Sequence, residues 1–170
     1  MKKICFILDT RITFMKAIPI YEALKNNFQL LLIHVRNNFD ENINDGFFNQ
    51  LQFPRPDISL SLQKRTTVGD VYDQLYVHND QLLNNNKDKI IDELMTYDGD
   101  MGQLGEIRDM LIVELNIVKP DLVMVFGDLT STFGAGLSAK IVGVNLVHVE
   151  SGLRDGDLQN PREVNRILIL

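Results

Sequence analysis

Cysteine is almost absent from the 170-residue sequence: Cys5 is the single one, and it lies in an apolar stretch. One cysteine cannot form a disulfide within the chain or a CxxC metal site. Long apolar runs are missing as well, since none approaches the roughly 20 residues of a membrane-spanning helix. The short apolar run near the start ends at Asp9 and therefore predicts a first strand rather than a signal peptide. These absences predict a cytoplasmic protein without a membrane partner.

Positive charge is also in deficit, with 17 Lys and Arg residues against 23 Asp and Glu residues and a net charge of −6. Because proteins that bind a phosphate backbone need a basic surface, we expect no nucleic-acid partner. His34 and His78 have no partners at the spacing of metal ligands, so the sequence predicts no metal site. With 45% hydrophobic and 24% charged residues, the composition is that of an ordinary globular domain.

Apolar runs of strand length alternate with stretches of helical periodicity along the chain. The predicted strands are 4–8, 28–35, 58–62, 122–126 and 144–149. The predicted helices are 13–26, 43–51, 101–118 and 131–142, followed by a helix that begins at Pro161. Pro19 is expected to kink or shorten the first helix, and Gly143 to end the fourth. The alternation predicts an α/β fold with a doubly wound, mainly parallel Rossmann-like sheet.

Residues 63–100 depart from this pattern. They are polar and rich in Asn and Asp, although apolar residues still recur at helical spacing. We expect a polar insertion of one or two amphipathic helices, joined by a mobile connection, outside the sheet. The first strand is followed by Asp9, Thr10 and Arg11 rather than by G-x-G-x-x-G, which disfavours a dinucleotide-binding site.

A carboxylate follows each of two predicted strands: Asp128 comes after 122–126, and Glu150 comes after 144–149. In an open parallel sheet, ligands bind at the carboxyl ends of the strands. Two acidic side chains at that edge indicate proton chemistry on a small molecule. Each residue also has a structural interpretation, in which Asp128 caps the helix that follows it and Glu150 simply ends its strand.

Three segments carry motifs that can be compared with known families. Residues 120–128 read P-D-L-V-M-V-F-G-D, residues 148–154 read H-V-E-S-G-L-R, and residues 161–166 read P-R-E-V-N-R. They resemble, in the same order, P-D-x-V-x-V-x-G-D, H-V-E-A-G-L-R and P-E-E-x-N-R of the non-hydrolysing UDP-N-acetylglucosamine 2-epimerases. Residues 9–16 match the first loop of that family in part. The resemblance implies the N-terminal Rossmann-like domain of the family, which is one half of a GT-B-like fold.

The resemblance also implies a reaction and a set of site residues. The family interconverts UDP-N-acetylglucosamine and UDP-N-acetylmannosamine by elimination and re-addition of UDP, without a cofactor. The implied catalytic residues are Asp128 and Glu150. The residues implied to bind the UDP-sugar are Arg11, Lys16, Glu163 and Arg166. Two of these have other interpretations, because Glu163 would also stabilise the first turn of a helix and Arg166 would also suit a surface salt bridge.

The match has departures that affect the expected activity. Arg162 stands where the family has a third carboxylate, and Asp9 replaces the glycine that opens the first loop. The second domain of the family, which carries a catalytic histidine and most contacts to uridine and diphosphate, has no counterpart in residues 1–170. We therefore expect one N-terminal domain with the C-terminal domain absent. The expected protein partners are further copies of the chain in a homo-oligomer, or a separate polypeptide that carries the C-terminal domain.

The alternative interpretation is a truncated, non-catalytic remnant or a partner-binding module that keeps the Rossmann-like fold. Residues 167–170 are apolar and lack a capping residue, so we expect an exposed apolar patch there and self-association or partner binding. On either interpretation we expect negligible epimerase activity from the isolated chain, because it supplies one wall of a two-walled cleft.

Overall fold

The computed structural model describes residues 1–36, 45–62 and 101–169. Five strands form one sheet in the order β3-β2-β1-β4-β5, and every neighbouring pair is parallel. The strands are β1 (Lys3–Leu8), β2 (Gln29–Arg36), β3 (Ile58–Ser61), β4 (Leu122–Phe126) and β5 (Asn145–Val149). The helices within the described ranges are α1 (Arg11–Leu24), α2 (Asp45–Leu51), α3 (Met101–Val118), α4 (Thr130–Val142) and α5 (Pro161–Leu168). The predicted α/β class and parallel Rossmann-like sheet are confirmed.

Helices bury apolar side chains against both faces of the sheet. On one face α1 and α2 pack over the sheet, and Phe6, Phe14 and Phe126 are almost completely buried there. On the other face α3, α4 and α5 form a second cluster that includes Ile107 and Val164. Complete burial of side chains of this size contributes about 1.5–3 kcal/mol each. The two clusters fix one helical layer on each side of the sheet.

Glycines in α4 allow close contact with two neighbouring helices. A Cβ added at Gly134 would lie 2.8 Å from Cγ2 of Ile107 in α3. A Cβ added at Gly136 would lie 3.0 Å from Cγ2 of Ile169, just beyond the end of α5. A larger side chain at either position would push a helix away from α4. Ile169 is buried and Ile167 and Leu168 are half-buried, so the expectation of an exposed apolar patch is wrong for residues 167–169.

Several predicted helix ends agree with the structure. Gly143 ends α4 in the left-handed conformation, with φ of 77°. Pro161 is the first residue of α5, and the side chain of Asn160 accepts a hydrogen bond from the Arg162 N–H at 3.0 Å. Both features are typical of helix ends, since glycine tolerates positive φ and proline needs no N–H partner in the first turn.

The first helix differs from its prediction. It runs from Arg11 to Leu24 and continues through Pro19, so the expectation of a shortened helix is wrong. Pro19 is exposed, and the carbonyl that it leaves without an N–H partner belongs to Met15, which is also exposed. Water can therefore bond that carbonyl. The predicted polar insertion at 63–100 lies outside the described residues. None of the helices in the described ranges is long and apolar enough to cross a membrane.

The strand order creates a crevice at the carboxyl edge of the sheet. The chain leaves β1 for β2 on one side, whereas β4 pairs with β1 on the other side. In open α/β sheets, ligands bind at such a change of direction. The loops at this place are residues 9–10, 127–129 and 150–160.

Candidate active site

Asp128 and Glu150 lie at the same edge of the sheet. Strands β4 and β5 are parallel neighbours, and Phe126 pairs with Val149 in their register. Glu150 directly follows β5, and Asp128 is the second residue after β4. The expectation that both carboxylates occupy neighbouring strand ends is therefore confirmed. Their catalytic roles stay predictions.

Glu150 adopts a backbone conformation that is unfavourable for its residue type. Its φ is 74°, in the left-handed region that favours glycine. Lys16 of α1 donates from Nζ to Glu150 Oε2 at 2.7 Å, and about a third of each side chain is exposed. The same carboxylate oxygen lies 3.9 Å from where a Cβ of Gly127 would be. Strained backbone of this kind is concentrated at functional sites, so the conformation supports a functional hypothesis for Glu150.

Asp128 is held from the opposite helical layer. Arg166 of α5 donates from Nη1 to Asp128 Oδ2 at 2.5 Å. The N-cap of α4 is Leu129, and no side chain caps this helix. The alternative interpretation, in which Asp128 is a helix cap, is therefore wrong. Its carboxylate is used in an ion pair instead.

Arg166 is the centre of a partly buried charge cluster. It donates from Nε and Nη2 to Glu163 Oε2 at 3.1 and 3.0 Å, and from Nη2 to Asp155 Oδ2 at 3.1 Å. One guanidinium thus contacts three carboxylates, including that of Asp128. Burial alone would lower the pKa of Arg166, but the hydrogen bond to Glu163 and the nearby carboxylates raise it above its ordinary value. The alternative interpretation of Arg166 as a salt-bridged surface residue is therefore correct about the salt bridges but wrong about the surface position, since Arg166 is 8% exposed.

Glu163 is nearly inaccessible to solvent, with 1% of its surface exposed. Its carboxylate accepts hydrogen bonds from the N–H groups of Asp155 at 3.2 Å and Gly156 at 3.4 Å, in addition to those from Arg166. Burial acts to raise its pKa, but the hydrogen bonds from Asp155, Arg166 and Gly156 outweigh burial and hold that pKa below its ordinary value. Glu163 therefore fixes both the loop before α5 and the guanidinium of Arg166.

Two further polar residues contact the loop that carries Asp128. Asn165 donates from Nδ2 to the Asp128 carbonyl at 2.7 Å, and His148 Nε2 lies 2.6 Å from the Gly127 carbonyl. The other polar atoms of these side chains, Asn165 Oδ1 and His148 Nδ1, are buried without a hydrogen-bond partner among the described residues. The sequence motifs contain both residues, but the sequence assigns neither a role in the site. Asp155 was also missed, because nothing in its spacing distinguishes it.

Asp9 has a structural role at the crevice. It is 7% exposed, and its carboxylate accepts hydrogen bonds from Thr10 N–H at 2.6 Å, from the Thr13 hydroxyl at 2.9 Å and from the Ser131 hydroxyl of α4. It thus joins the end of β1 to α1 and α4. A cavity of about 110 Å³ adjoins it and is lined also by Leu129 and Ser131. The carboxylate of Asp9 therefore accepts hydrogen bonds from three groups within the protein.

The remaining predicted binding residue, Arg11, begins α1 and is exposed at the same edge. Its guanidinium carbon lies 5.3 Å from the centre of the Phe47 ring, within the range of a cation–π contact. Arg162, the departure from the family motif, is exposed on α5. The structure therefore brings Lys16 to Glu150 and joins Asp128, Glu163 and Arg166. It records no contact between Arg11 and any of them in the described part of the chain.

Among the side chains in direct ionic contact at the site, acidic groups outnumber basic ones. Four carboxylates, those of Asp128, Glu150, Asp155 and Glu163, contact the two cations of Lys16 and Arg166. No group of three or more His, Cys, Asp or Glu side chains within the described ranges is arranged to hold a metal ion. Chemically, the arrangement offers two ordered carboxylates that can face a small molecule at the carboxyl edge.

Comparisons with known proteins agree with the motifs. The family model of UDP-N-acetylglucosamine 2-epimerase matches residues 99–170. The UDP-N-acetylglucosamine 2-epimerase of Methanocaldococcus jannaschii is 32% identical over 167 residues, which is 98% of this chain and 37% of that protein. The UDP-2,3-diacetamido-2,3-dideoxy-D-glucuronate 2-epimerase of Pseudomonas aeruginosa is 30% identical over 168 residues, covering 98% of this chain and 38% of that protein.

The fold comparison gives the same result. The solved structure of the M. jannaschii UDP-GlcNAc 2-epimerase, in complex with UDP-GlcNAc and UDP, matches with a TM-score of 0.72 and 28% sequence identity. The match covers 98% of this chain and 37% of that one. The chain thus spans little more than a third of the length of these relatives. The four acidic residues that contact Lys16 and Arg166 all lie within the residues that the family model matches.

Proposed function

The chain belongs to the UDP-N-acetylglucosamine 2-epimerase family, and we propose that it supplies one wall of the active site of an epimerase that interconverts UDP-N-acetylglucosamine and UDP-N-acetylmannosamine. The observation that carries the proposal is the pair Asp128 and Glu150. These side chains come from neighbouring strand ends, and each is held by a cation from a different helical layer. Sequence similarity alone would not require that arrangement.

The proposed chemistry needs two carboxylates near one sugar ring. The C2 proton of the sugar has no adjacent carbonyl to acidify it, so the bond between C1 and the phosphate oxygen breaks and UDP leaves with the electron pair. One carboxylate removes the C2 proton as positive charge develops at C1, and a C1–C2 double bond forms. The other carboxylate stabilises the charge at C1 electrostatically. Re-addition of UDP at C1, with a proton delivered to the opposite face of C2, gives the epimer.

Asp128 and Glu150 suit these two roles. Glu150 projects from a strained residue and is held by one flexible lysine. Asp128 is fixed by a buried guanidinium. Excess negative charge at the edge favours a cationic transition state but disfavours a diphosphate. The diphosphate is therefore assigned to basic groups away from these carboxylates, with exposed Arg11 as the candidate on this wall.

A chimera tests the proposal. Residues 1–169 would be joined to the remaining part of the M. jannaschii relative, and proton NMR in deuterated water would follow deuterium incorporation at C2 of UDP-N-acetylglucosamine. We expect incorporation by the chimera and none by the chain alone. Glu150→Gln and Asp128→Asn should each reduce the rate about 100- to 10,000-fold, as expected for the loss of a general base or a charge stabiliser. A folded chimera that binds UDP and exchanges no C2 proton would refute the proposal.

Arg162 gives specific support to a second candidate function, a non-catalytic binding module, because it replaces a carboxylate of the family motif. Arg162→Glu in the same chimera separates the two. If only the Glu variant exchanges the C2 proton, the natural chain is a binding module. If both exchange it at similar rates, Arg162 is compatible with catalysis. UDP-2,3-diacetamido-2,3-dideoxy-glucuronate should be assayed in parallel, since the name of the P. aeruginosa relative specifies that sugar.

A further inference from the structure

We propose that α5 acts as a clamp that positions Asp128, and that Arg166 and Asn165 are positioning residues rather than substrate-binding residues. The clamp consists of Glu163, Asn165 and Arg166, which all belong to α5. The inference rests on the proposed function for its catalytic consequence. Its structural part concerns the orientation of the Asp128 side chain and is independent of activity.

The first part of the clamp fixes the Asp128 carboxylate. Arg166 Nη1 donates to Oδ2 of Asp128 at 2.5 Å, while Nε and Nη2 of the same guanidinium are bound to Glu163. Glu163 is itself held by the two N–H groups of the preceding loop. The position of the guanidinium is therefore set by a buried counter-charge, and the carboxylate of Asp128 takes its orientation from the guanidinium. A planar guanidinium bound on several edges gives orientation as well as charge.

The second part of the clamp fixes the backbone on which Asp128 stands. Asn165 Nδ2 donates to the Asp128 carbonyl at 2.7 Å, and His148 contacts the preceding carbonyl, that of Gly127, at 2.6 Å. Gly127 has φ of 80°, so the loop turns sharply just before Asp128. The side chain of Asp128 is thus bound by Arg166, and its main-chain carbonyl is bound by the neighbouring residue Asn165 of the same helix. A carboxylate held at both points is restricted to a small part of its conformational range.

The same contacts disfavour direct substrate binding by Arg166 and Glu163. A guanidinium has five N–H donors, and four donor contacts of Arg166 are made to carboxylates. Glu163 is 1% exposed, and its carboxylate accepts hydrogen bonds from the guanidinium of Arg166. One N–H of Arg166 has no carboxylate partner among the described residues, but the residue is only 8% exposed, so neither side chain presents much surface to a substrate. Acting through Asp128 requires no direct contact with the substrate.

The structural test uses the chain itself. Three-bond couplings of Asp128 Cγ to the backbone nitrogen and carbonyl carbon report whether its first side-chain torsion has one value or several. We expect one value in the wild type and averaged couplings in Arg166→Lys, since an ammonium cannot hold three carboxylates in the geometry of a guanidinium. Arg108→Lys is the matched control, because Arg108 is 3% exposed, is paired with Asp109 and lies on α3 away from the clamp. It should leave the Asp128 couplings unchanged.

Averaged couplings in the wild type, or a single unchanged value in folded Arg166→Lys, would overturn the proposal. If Arg166→Lys does not fold, Glu163→Gln is measured in its place, because it removes the counter-charge of Arg166 at nearly constant size. Averaging in that variant supports the clamp, and unchanged couplings overturn it. These measurements need no epimerase activity, so they can succeed even if the proposed function fails.

The catalytic consequence is tested in the chimera. If Arg166 positions Asp128, Arg166→Lys should lower kcat about 100-fold, the size of loss expected when a reacting group is misplaced, and should change KM little. Arg108→Lys should leave both constants unchanged. A raised KM with unchanged kcat would mean that Arg166 contacts the substrate, and it would overturn the positioning role.

Discussion

Glycine at position 150 should make the chain more stable than alanine at the same position, which is the reverse of the usual order. Glu150 has φ of 74°, and the left-handed conformation costs a residue with a Cβ about 1–2 kcal/mol. Glycine avoids that cost but loses about 0.5–1 kcal/mol through its greater freedom in the unfolded chain. Both substitutions remove the ion pair with Lys16, so this loss cancels in the comparison. Glu150→Gly should therefore be more stable than Glu150→Ala by about 0.7 kcal/mol.

Urea unfolding followed by circular dichroism measures this difference. Lys119, which follows α3 with φ of 48°, is a control in the same conformation away from the site and should show the same order. Asn116 is exposed within α3, and there glycine should be less stable than alanine by about 1 kcal/mol. If alanine were more stable than glycine at position 150 while both controls behaved as expected, the strained conformation of Glu150 would be refuted. Backbone strain would then no longer support a functional role for Glu150.

Three other expectations can be checked on the purified chain. The pKa of Glu163 in the folded chain is below its ordinary value of 4.5, so its ionised carboxylate stabilises the fold above pH 4.5, and this stabilisation is lost as the pH falls through the lowered pKa. Between pH 7 and pH 3 the melting temperature of Glu163→Gln should therefore fall less than that of the wild type. Equal decreases in melting temperature would contradict the lowered pKa of Glu163. Ser131→Ala should lower the free energy of unfolding measured in urea by about 1–3 kcal/mol, because it leaves the buried carboxylate of Asp9 with one hydrogen bond fewer. An unchanged free energy of unfolding would mean that the hydrogen bond between Ser131 and Asp9 is not formed. Burial raises the pKa of the Cys5 thiol to about 12, so a thiol reagent at pH 8 should modify it only as the chain unfolds, and rapid labelling of the native chain would show that β1 is accessible.

The placement of the two carboxylates could be predicted from the sequence, because parallel strands end at one edge. Apolar runs identified β4 and β5, and the residues that follow them had to share that edge once the strands were neighbours. Gly143 and Pro161 were predictable for a similar reason, since each residue type is suited to one end of a helix. These successes depend on local chemistry combined with one rule of topology.

The contacts of the site could not be predicted in this way. Lys16 and Glu150 are 134 positions apart, and Arg166 and Asp128 are 38 apart, so neither pair leaves a periodic signal in the sequence. Asp128 illustrates the difficulty: an acidic residue close to the start of a predicted helix suggests a cap, whereas the packing of α5 against α4 directs its carboxylate to Arg166. The φ of Glu150 was also unpredictable, because glutamate has no preference for positive values.

The arrangement of charges explains why each proposed catalytic carboxylate is paired. Asp128, Asp155 and Glu163 share the guanidinium of Arg166, which offsets the repulsion between their charges, and Glu150 is paired with Lys16. Lys16 reaches the edge from the layer of α1, and Arg166 reaches it from the layer of α5. The carboxylate of Glu150 is therefore ordered only when α1 is packed on the sheet, and that of Asp128 only when α5 is packed on it. The order of the site thus depends on the packing of both helical layers. The four carboxylates outnumber the two cations that contact them, so a ligand that carries a diphosphate should place its phosphates near other basic groups such as Arg11, and its sugar ring, where positive charge develops, against the carboxylates.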